Sequence, residues 1–468
     1  MKFLEKNLWI GKALGVVAGI AYLAAVYSVM RADLVPHKYL LGLLPVSAVI
    51  VGLIVFACFK YSWVSALKSV GLVLLSLLVL FGSSYVYMIN ASTFSLLGSV
   101  SSGSYSIQSY SIVASKNSST GLKTNNKTIG YIKQDPNAST VVTAATNRTS
   151  AVAKGYDDLA SLSVALQSHQ IDSAVLLSSY LPIISENDPA LYGNIKVLGT
   201  FNIRVKNSTK SKVDIHKPFV VYISGVDTYG SVATVSRSDV NILAVVNPKT
   251  HKILLVNTPR DYYVQLHGTT GTRDKLTHAG IYGINMSKDT MQDLYGTKVD
   301  YTLRINFTSL LKIVDSIGGV NVYSDNNFTV GKYHFVRGYN QLNAKQALAF
   351  SRERHSFADG DRQRGKDQQR VIEAIIAKMS NPTNLVRYPN IMKSLEGSFQ
   401  TNASRSEISA ILNQQANSLG KWQTESISVT GADSHNSTYS MGSMQLYVME
   451  PNKASVDSAK AKISTYKQ

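Results

Sequence analysis

Cysteine is all but missing from this chain: of 468 residues only Cys58 is one, and it lies inside an apolar run. That excludes an intrachain disulfide, a thiolate metal cluster and a cysteine nucleophile in any soluble part. Carboxylates are scarce beside cations, 29 Asp and Glu against 47 Lys and Arg, which leaves a formal net charge of +18. So basic a balance calls for a polyanionic partner or surface: nucleic acid, anionic headgroups, phosphate esters or acidic wall polymers. No zinc-ligand spacing accompanies the histidines, and His278 and His355 read as lone structural side chains near other motifs. A helix-turn-helix pattern and a basic helix with a reading face are both missing, so nucleic acid is not expected as a partner.

Charge is also missing from residues 13–30, 39–59 and 69–89. Each stretch is close to the roughly 20 residues that a helix needs to cross a bilayer. No small-residue cleavage site follows the first before Arg31, which argues against a removed signal peptide. Three crossings put the chain ends on opposite sides. Lys2, Lys6, Lys12, Lys60 and Lys68 flank one face against Arg31 and Lys38 on the other, and the positive-inside bias then places the C-terminal part outside.

After the anchor, residues 91–120 are rich in Ser, Gly and Tyr and read as a linker entering a first strand. Short β-like runs at 140–143 and 195–203, a helical stretch at 156–168 and a further run at 171–177 suggest a small α/β accessory domain without a recognisable site. From about 217 the pattern is denser. Apolar strands are expected at 219–224, 240–246 and 253–257, the last two joined by the turn-prone Asn247-Pro248-Lys249-Thr250, so part of the sheet is antiparallel. A helix over 307–317 carries Leu310, Leu311, Val314 and Ile317 on one side and stops at Gly318-Gly319 before a strand at 320–323. Helices covering a mixed central sheet are the expected architecture, followed by a helical extension.

The candidate chemistry gathers at strand ends. Asp227 follows one strand and Asp239 precedes the next; as a pair they are either solvated loop acids or hard oxygen ligands for Mg²⁺ with phosphate. Arg260 follows the strand at 252–258, and an arginine fork matches phosphate. Arg352 and Arg354 share a side if the chain is extended there. Asp361, Arg364 and Gln368 stand at i, i+3 and i+7 on one helix face, with Val371, Ile372, Ile375, Ile376 and Met379 expected on the opposite side. That helix's N-terminus favours an anion. Four arginines with two acids suit a metal-bridged pyrophosphate better than a solvated helix.

Residues 217–379 resemble the LytR-CpsA-Psr family of cell-wall enzymes. The likeness rests on Asp227, Arg237-Ser238-Asp239, Thr258-Pro259-Arg260-Asp261, Lys275-Leu276-Thr277-His278-Ala279, Gly318-Gly319-Val320, Leu342-Asn343-Ala344, Arg352-Glu353-Arg354 and Asp361-Arg362-Gln363-Arg364, in that order. The spans and intervening domain are similar to the family's capsule-locus branch. The resemblance implies an α/β chain: a membrane anchor with three transmembrane helices (1–97), an accessory domain (98–212), and an α/β/α catalytic domain with a mixed central sheet and a C-terminal helical extension (213–468). It implies a multi-pass protein of the cell membrane in a Gram-positive bacterium, its C-terminal domains outside the cytoplasm. Its members carry a polyprenyl-(pyro)phosphate-linked glycan in an apolar tunnel and move the glycopolymer to peptidoglycan. Carried over, Asp227 and Asp239 would hold Mg²⁺ (or Mn²⁺), and Arg237, Arg260, Arg352, Arg354, Arg364 and Gln368 would bind phosphate. Asp227, Asp239, Arg260 and Asp361 would be catalytic, with Asp227 and Asp239 both open as the base. The first motif, Gly225-Val226-Asp227-Thr228-Tyr229-Gly230, lacks the arginine many relatives carry after the aspartate, a gap that Arg237 can fill. Capsular polysaccharide is the expected polymer and wall teichoic acid the alternative. The rival readings are a transcriptional regulator, which an external domain excludes, and a wall-binding or scaffold module that holds lipid without turnover.

Overall fold

The structure is a computed structural model that describes residues 8–32, 37–60, 66–100, 105–206, 213–226, 234–358, 360–379, 399–418 and 422–468. It divides into two compact units.

The first unit contains the helices Leu8–Ala32, His37–Lys60 and Ala66–Val100. Tyr22 and Ser47 share a hydrogen bond of 2.7 Å between the first two, and Cys58 Sγ lies 3.4 Å from Ser76 Oγ of the third. Two apolar runs, Lys12–Arg31 and Tyr39–Phe59, have the length and composition to cross a membrane. The third expected span is corrected: among the described residues its apolar run is Val73–Met88, shorter than the 20 and 21 residues of the others. The expected linker is corrected too. Its first residues continue this helix to Val100, and the strand Tyr105–Ser115 follows.

Among the described residues the second unit holds two large sheets and four two-stranded ones. A five-stranded sheet takes the order Val152–Tyr156, Thr128–Ile132, Ser173–Leu177, Tyr105–Ser115, Ile195–Lys206. The β-like run at 140–143 belongs instead to the helix Ala138–Thr149. There Val141, Ala145 and Thr149, four residues apart, bury one helical face, and burial overrides the preference of β-branched residues for strands. This sheet's core also receives Ile281, Met441 and Leu446 from later in the chain.

The central sheet has six strands in the order Phe399–Thr401, Tyr301–Asn306, Phe219–Val226, Ser238–Asn247, Lys252–Asn257, Gln423–Ser428. Its middle three strands are antiparallel, whereas Tyr301–Asn306 and Gln423–Ser428 pair in parallel. The sheet is therefore mixed, as expected. The two outer strands correct the purely helical extension beyond Met379, because C-terminal segments close both edges of the sheet and pair backbone groups that would otherwise stay open. One face buries Val220, Tyr222, Leu243, Val245, Leu254 and Val256 beneath the helices Ile284–Tyr295 and Lys453–Tyr466. The other buries Ile223, Ile242, Ala244, Ile253 and Leu255 against Ile372 and Ile376 of the helix Asp361–Met379. Strands buried on both faces explain why their sequences are nearly continuous apolar runs.

Candidate functional site

A cavity of about 770 Å³ opens beside the strand ends of the central sheet, within the range of small-molecule sites. Arg237, Asp239, Arg260, Arg352, Arg354, Arg364 and Gln368 all line it. Residues more than 130 positions apart meet there because Asp239 sits at the start of one strand and Arg260 just past the end of its antiparallel neighbour, while Arg352 and Arg364 come from two successive helices and Arg354 from the chain between them. Asp227 follows directly on the strand Phe219–Val226 and lies outside the described residues. So does the side chain of Asp361, whose backbone opens the helix Asp361–Met379.

The local folding has clear causes. Asn343 and Gln346 form a reciprocal capping box, each side chain accepting from the other's backbone N–H at 3.0 Å, which starts the helix Ala344–Arg352. Glu353 then turns extended, with φ −67° and ψ 134°. Arg352 thus ends a helix, Arg354 follows on an extended chain, and both line the cavity. On the next helix Arg364 and Gln368 share the cavity wall with Val371 and Ile372. This corrects the expectation that those apolar residues lie on the opposite side. At 100° per residue, positions 364, 368, 371 and 372 fall on one stripe, so the helix is polar at its start and apolar further on, along its axis and not across it. Leu310, Leu348 and Val330 add further apolar lining. Of the four residues expected on the helix at 307–317, only Leu310 lines the cavity; Val314 and Ile317 are buried core.

The charges form a connected set. Asp239 Oδ1 accepts from Arg260 Nη1 at 2.8 Å and from Thr277 Oγ1 at 3.2 Å. Among the described residues its Oδ2 has no hydrogen-bond partner. Arg260 Nε also lies 3.4 Å from Asp261 Oδ2, and Lys275 Nζ donates to Asp261 Oδ1 at 3.1 Å. Burial alone would raise the Asp261 carboxyl, but the adjoining Arg260 and Lys275 charges outweigh it and hold the group below the usual range. Between Arg364 and Gln368, Asp367 accepts from Gln363 Nε2 at 3.0 Å, while its buried Oδ2 has no partner among the described residues. Burial pushes this carboxyl up to about 7.

Several members of the site escaped the sequence reading. Lys345 lines the cavity two turns before Arg352 on the same helix. Asp261, Lys275 and Thr277 stood in quoted motifs without a role. Glu186 had no local signal at all: it comes from the accessory region, read as carrying no site, yet it lines the cavity and its Oε2 accepts from Arg237 Nη1 at 2.8 Å. His278 is buried, as a structural histidine should be; its Nδ1 meets both Asp274 at 2.7 Å and Ser440 at 2.9 Å. Since one ring nitrogen takes both contacts, this is no proton relay of the serine-hydrolase kind. His355, in contrast, lines the cavity.

The LytR_cpsA_psr family model matches residues 196–462, more than half of the chain. The chain belongs to this family. It is 36% identical over 204 residues to the polyisoprenyl-teichoic acid–peptidoglycan teichoic acid transferase TagU of Bacillus licheniformis, covering 43% of this chain and 66% of that relative, just under two thirds of its length. It is 29% identical over 262 residues to the TagU of Enterococcus faecalis, covering 55% of this chain and 86% of the other. Among solved structures, that of B. subtilis TagV aligns with 54% of this chain and 97% of its own at 25% identity and a TM-score of 0.46.

Proposed function

We propose that this protein transfers a glycopolymer, as its glycosyl-1-phosphate, from a polyprenyl pyrophosphate carrier to peptidoglycan. The observation that carries the reading is the lining of one cavity, which brings Arg237, Arg260, Arg352, Arg354 and Arg364 together with the apolar Leu310, Leu348, Val371 and Ile372. A pyrophosphate joined to an isoprenoid has the same two-part chemistry. A sugar hydroxyl of peptidoglycan attacks the phosphorus nearer the glycan, the bond from that phosphorus to the bridging oxygen breaks, and polyprenyl phosphate leaves with the electron pair. The arginines neutralise charge on the transferred and departing phosphates, which is most of what a protein supplies in phosphoryl transfer.

The donor set suits Mg²⁺ (or Mn²⁺). Among the described residues one hard carboxylate oxygen of Asp239 accepts no hydrogen bond, and substrate phosphates complete such a shell in most Mg²⁺ sites. Asp239 and Asp227 would hold the ion, which would withdraw charge from the phosphates. Whichever aspartate is not a direct ligand takes the acceptor's proton. Asp361 joins the site from the first turn of its helix, and Gln368 donates to phosphate.

The relatives' activity supports a teichoic acid as the polymer; capsular polysaccharide, which the sequence reading put first, is the second candidate. The apolar runs Lys12–Arg31 and Tyr39–Phe59 anchor the protein in the membrane, and transfer takes place at its outer face. Incubating the full-length protein with lipid-linked teichoic acid, or with lipid-linked capsular polymer, and peptidoglycan tests the reading. Covalent polymer on the wall, lost in Arg260→Ala, supports it. Retained lipid without any transfer would instead make the protein a wall-binding module.

A further inference from the structure

Glu186 sits in the last turn of the helix Tyr180–Asn187, far in sequence from every motif of the site. Its position is nevertheless fixed. Tyr180, Ile183 and Ile184 bury the helix in the core of the five-stranded sheet, a core that also holds Ile281. Tyr180 and Tyr282 share a hydrogen bond of 3.1 Å, and Gln108 Nε2 donates to the Tyr282 carbonyl at 3.3 Å. The segment that carries Ile281 and Tyr282 begins with Lys275 and Thr277, which bind Asp261 and Asp239. On Arg237's side the approach is equally tight: a Cβ on Gly280 would come within 2.5 Å of Ser238 N and 2.7 Å of Ser236 O. Two packed cores thus bring one carboxylate onto one guanidinium at the edge of the cavity.

An exposed ion pair of this kind contributes little to stability, so its consequence lies in what it occupies. A carboxylate and a phosphate present the same pair of acceptor oxygens to an arginine fork. Burial works against the Glu186 charge, but its bond to Arg237 and the nearby charges of Arg237, Arg260 and Lys275 keep it ionised.

Resting on the transferase reading above, we propose that Glu186 is a placeholder on Arg237 that discriminates the diphosphate substrate from the monophosphate product. A pyrophosphate bound by several arginines displaces the carboxylate from Arg237. Once transfer has left polyprenyl monophosphate, with one phosphate fewer, Glu186 returns to Arg237 and withholds that guanidinium from what remains. Glu186 is a positioning residue here and touches no reacting atom.

The test uses the full-length protein in detergent, with polyprenyl monophosphate and polyprenyl pyrophosphate as the probes. Wild type should favour the diphosphate. Glu186→Gln, which keeps the shape and loses the charge, should bind the monophosphate more tightly by roughly tenfold, with kcat and KM for transfer falling together. In an Arg237→Ala background the same substitution should have no effect, because the two residues act as a pair. Unchanged binding, or equal weakening for both lipids, would overturn the inference and leave a structural strut; Glu186→Ala, with its thermal midpoint, checks that the fold survives. A wild type that binds neither lipid would sink the transferase reading, and this inference with it.

Discussion

Lys275 donates to one oxygen of Asp261 at 3.1 Å while Arg260 approaches the other at 3.4 Å, so a single buried carboxylate steadies two cations, of which Arg260 lines the cavity. Asp261 keeps only 5% of its side chain exposed, and breaking a pair so buried costs about 3–5 kcal/mol. Asp261→Asn should therefore lower the unfolding free energy by about 3 kcal/mol at pH 7 and reduce lipid binding through a loosened Arg260. Because the folded pKa lies below the unfolded one, the stabilisation is complete above about pH 4 and is lost as pH falls through the folded value. Chemical unfolding of wild type and variant across pH 2–8 checks this: their difference should shrink only on the acid side.

Asp367 carries the opposite sign. Its folded pKa of about 7 exceeds the unfolded value of about 3.9, so the folded state holds its proton more tightly and loses stability as pH rises between the two. Asp367→Asn should be neutral near pH 4 and stabilising by on the order of 2 kcal/mol above pH 7. The same unfolding series reads it out, and a variant less stable at pH 8 would contradict the assignment.

Phosphate binding and metal action should separate. Arg352→Ala and Arg364→Ala each remove charge-assisted hydrogen bonds worth about 1.5–3 kcal/mol, roughly 10- to 100-fold in affinity. Mass spectrometry of lipid co-purifying with the double variant should find none. Chelation of divalent cations should instead abolish transfer while bound lipid remains.

Val371 is almost fully buried and belongs to the apolar lining of the cavity. Val371→Trp should fill the space beside it at a cost of about 1–3 kcal/mol in stability. Binding of long polyprenyl pyrophosphate should fall at least tenfold, and binding of short-chain geranyl pyrophosphate should persist. Equal loss of both ligands would place the isoprenoid elsewhere.

Much of this protein was determined by sequence alone, because its signals are local. Uncharged runs mark helices suited to a membrane, alternating apolar segments mark the central strands, and Gly318-Gly319, both with positive φ, end a helix where expected. The motif arginines could be named because each sits beside a strand end or helix cap that the chain advertises within a few residues. Only the tertiary structure decided the rest. The run at 140–143 became a helix because burial of one face outweighs β-propensity, and Val371 joined the cavity because rotation per residue, not polarity, sets which side a residue faces. Glu186 and the outermost strands of the central sheet were invisible for the same reason: each is defined by a partner 51 to 171 residues away, and a contact at that separation leaves no periodicity in the chain that makes it.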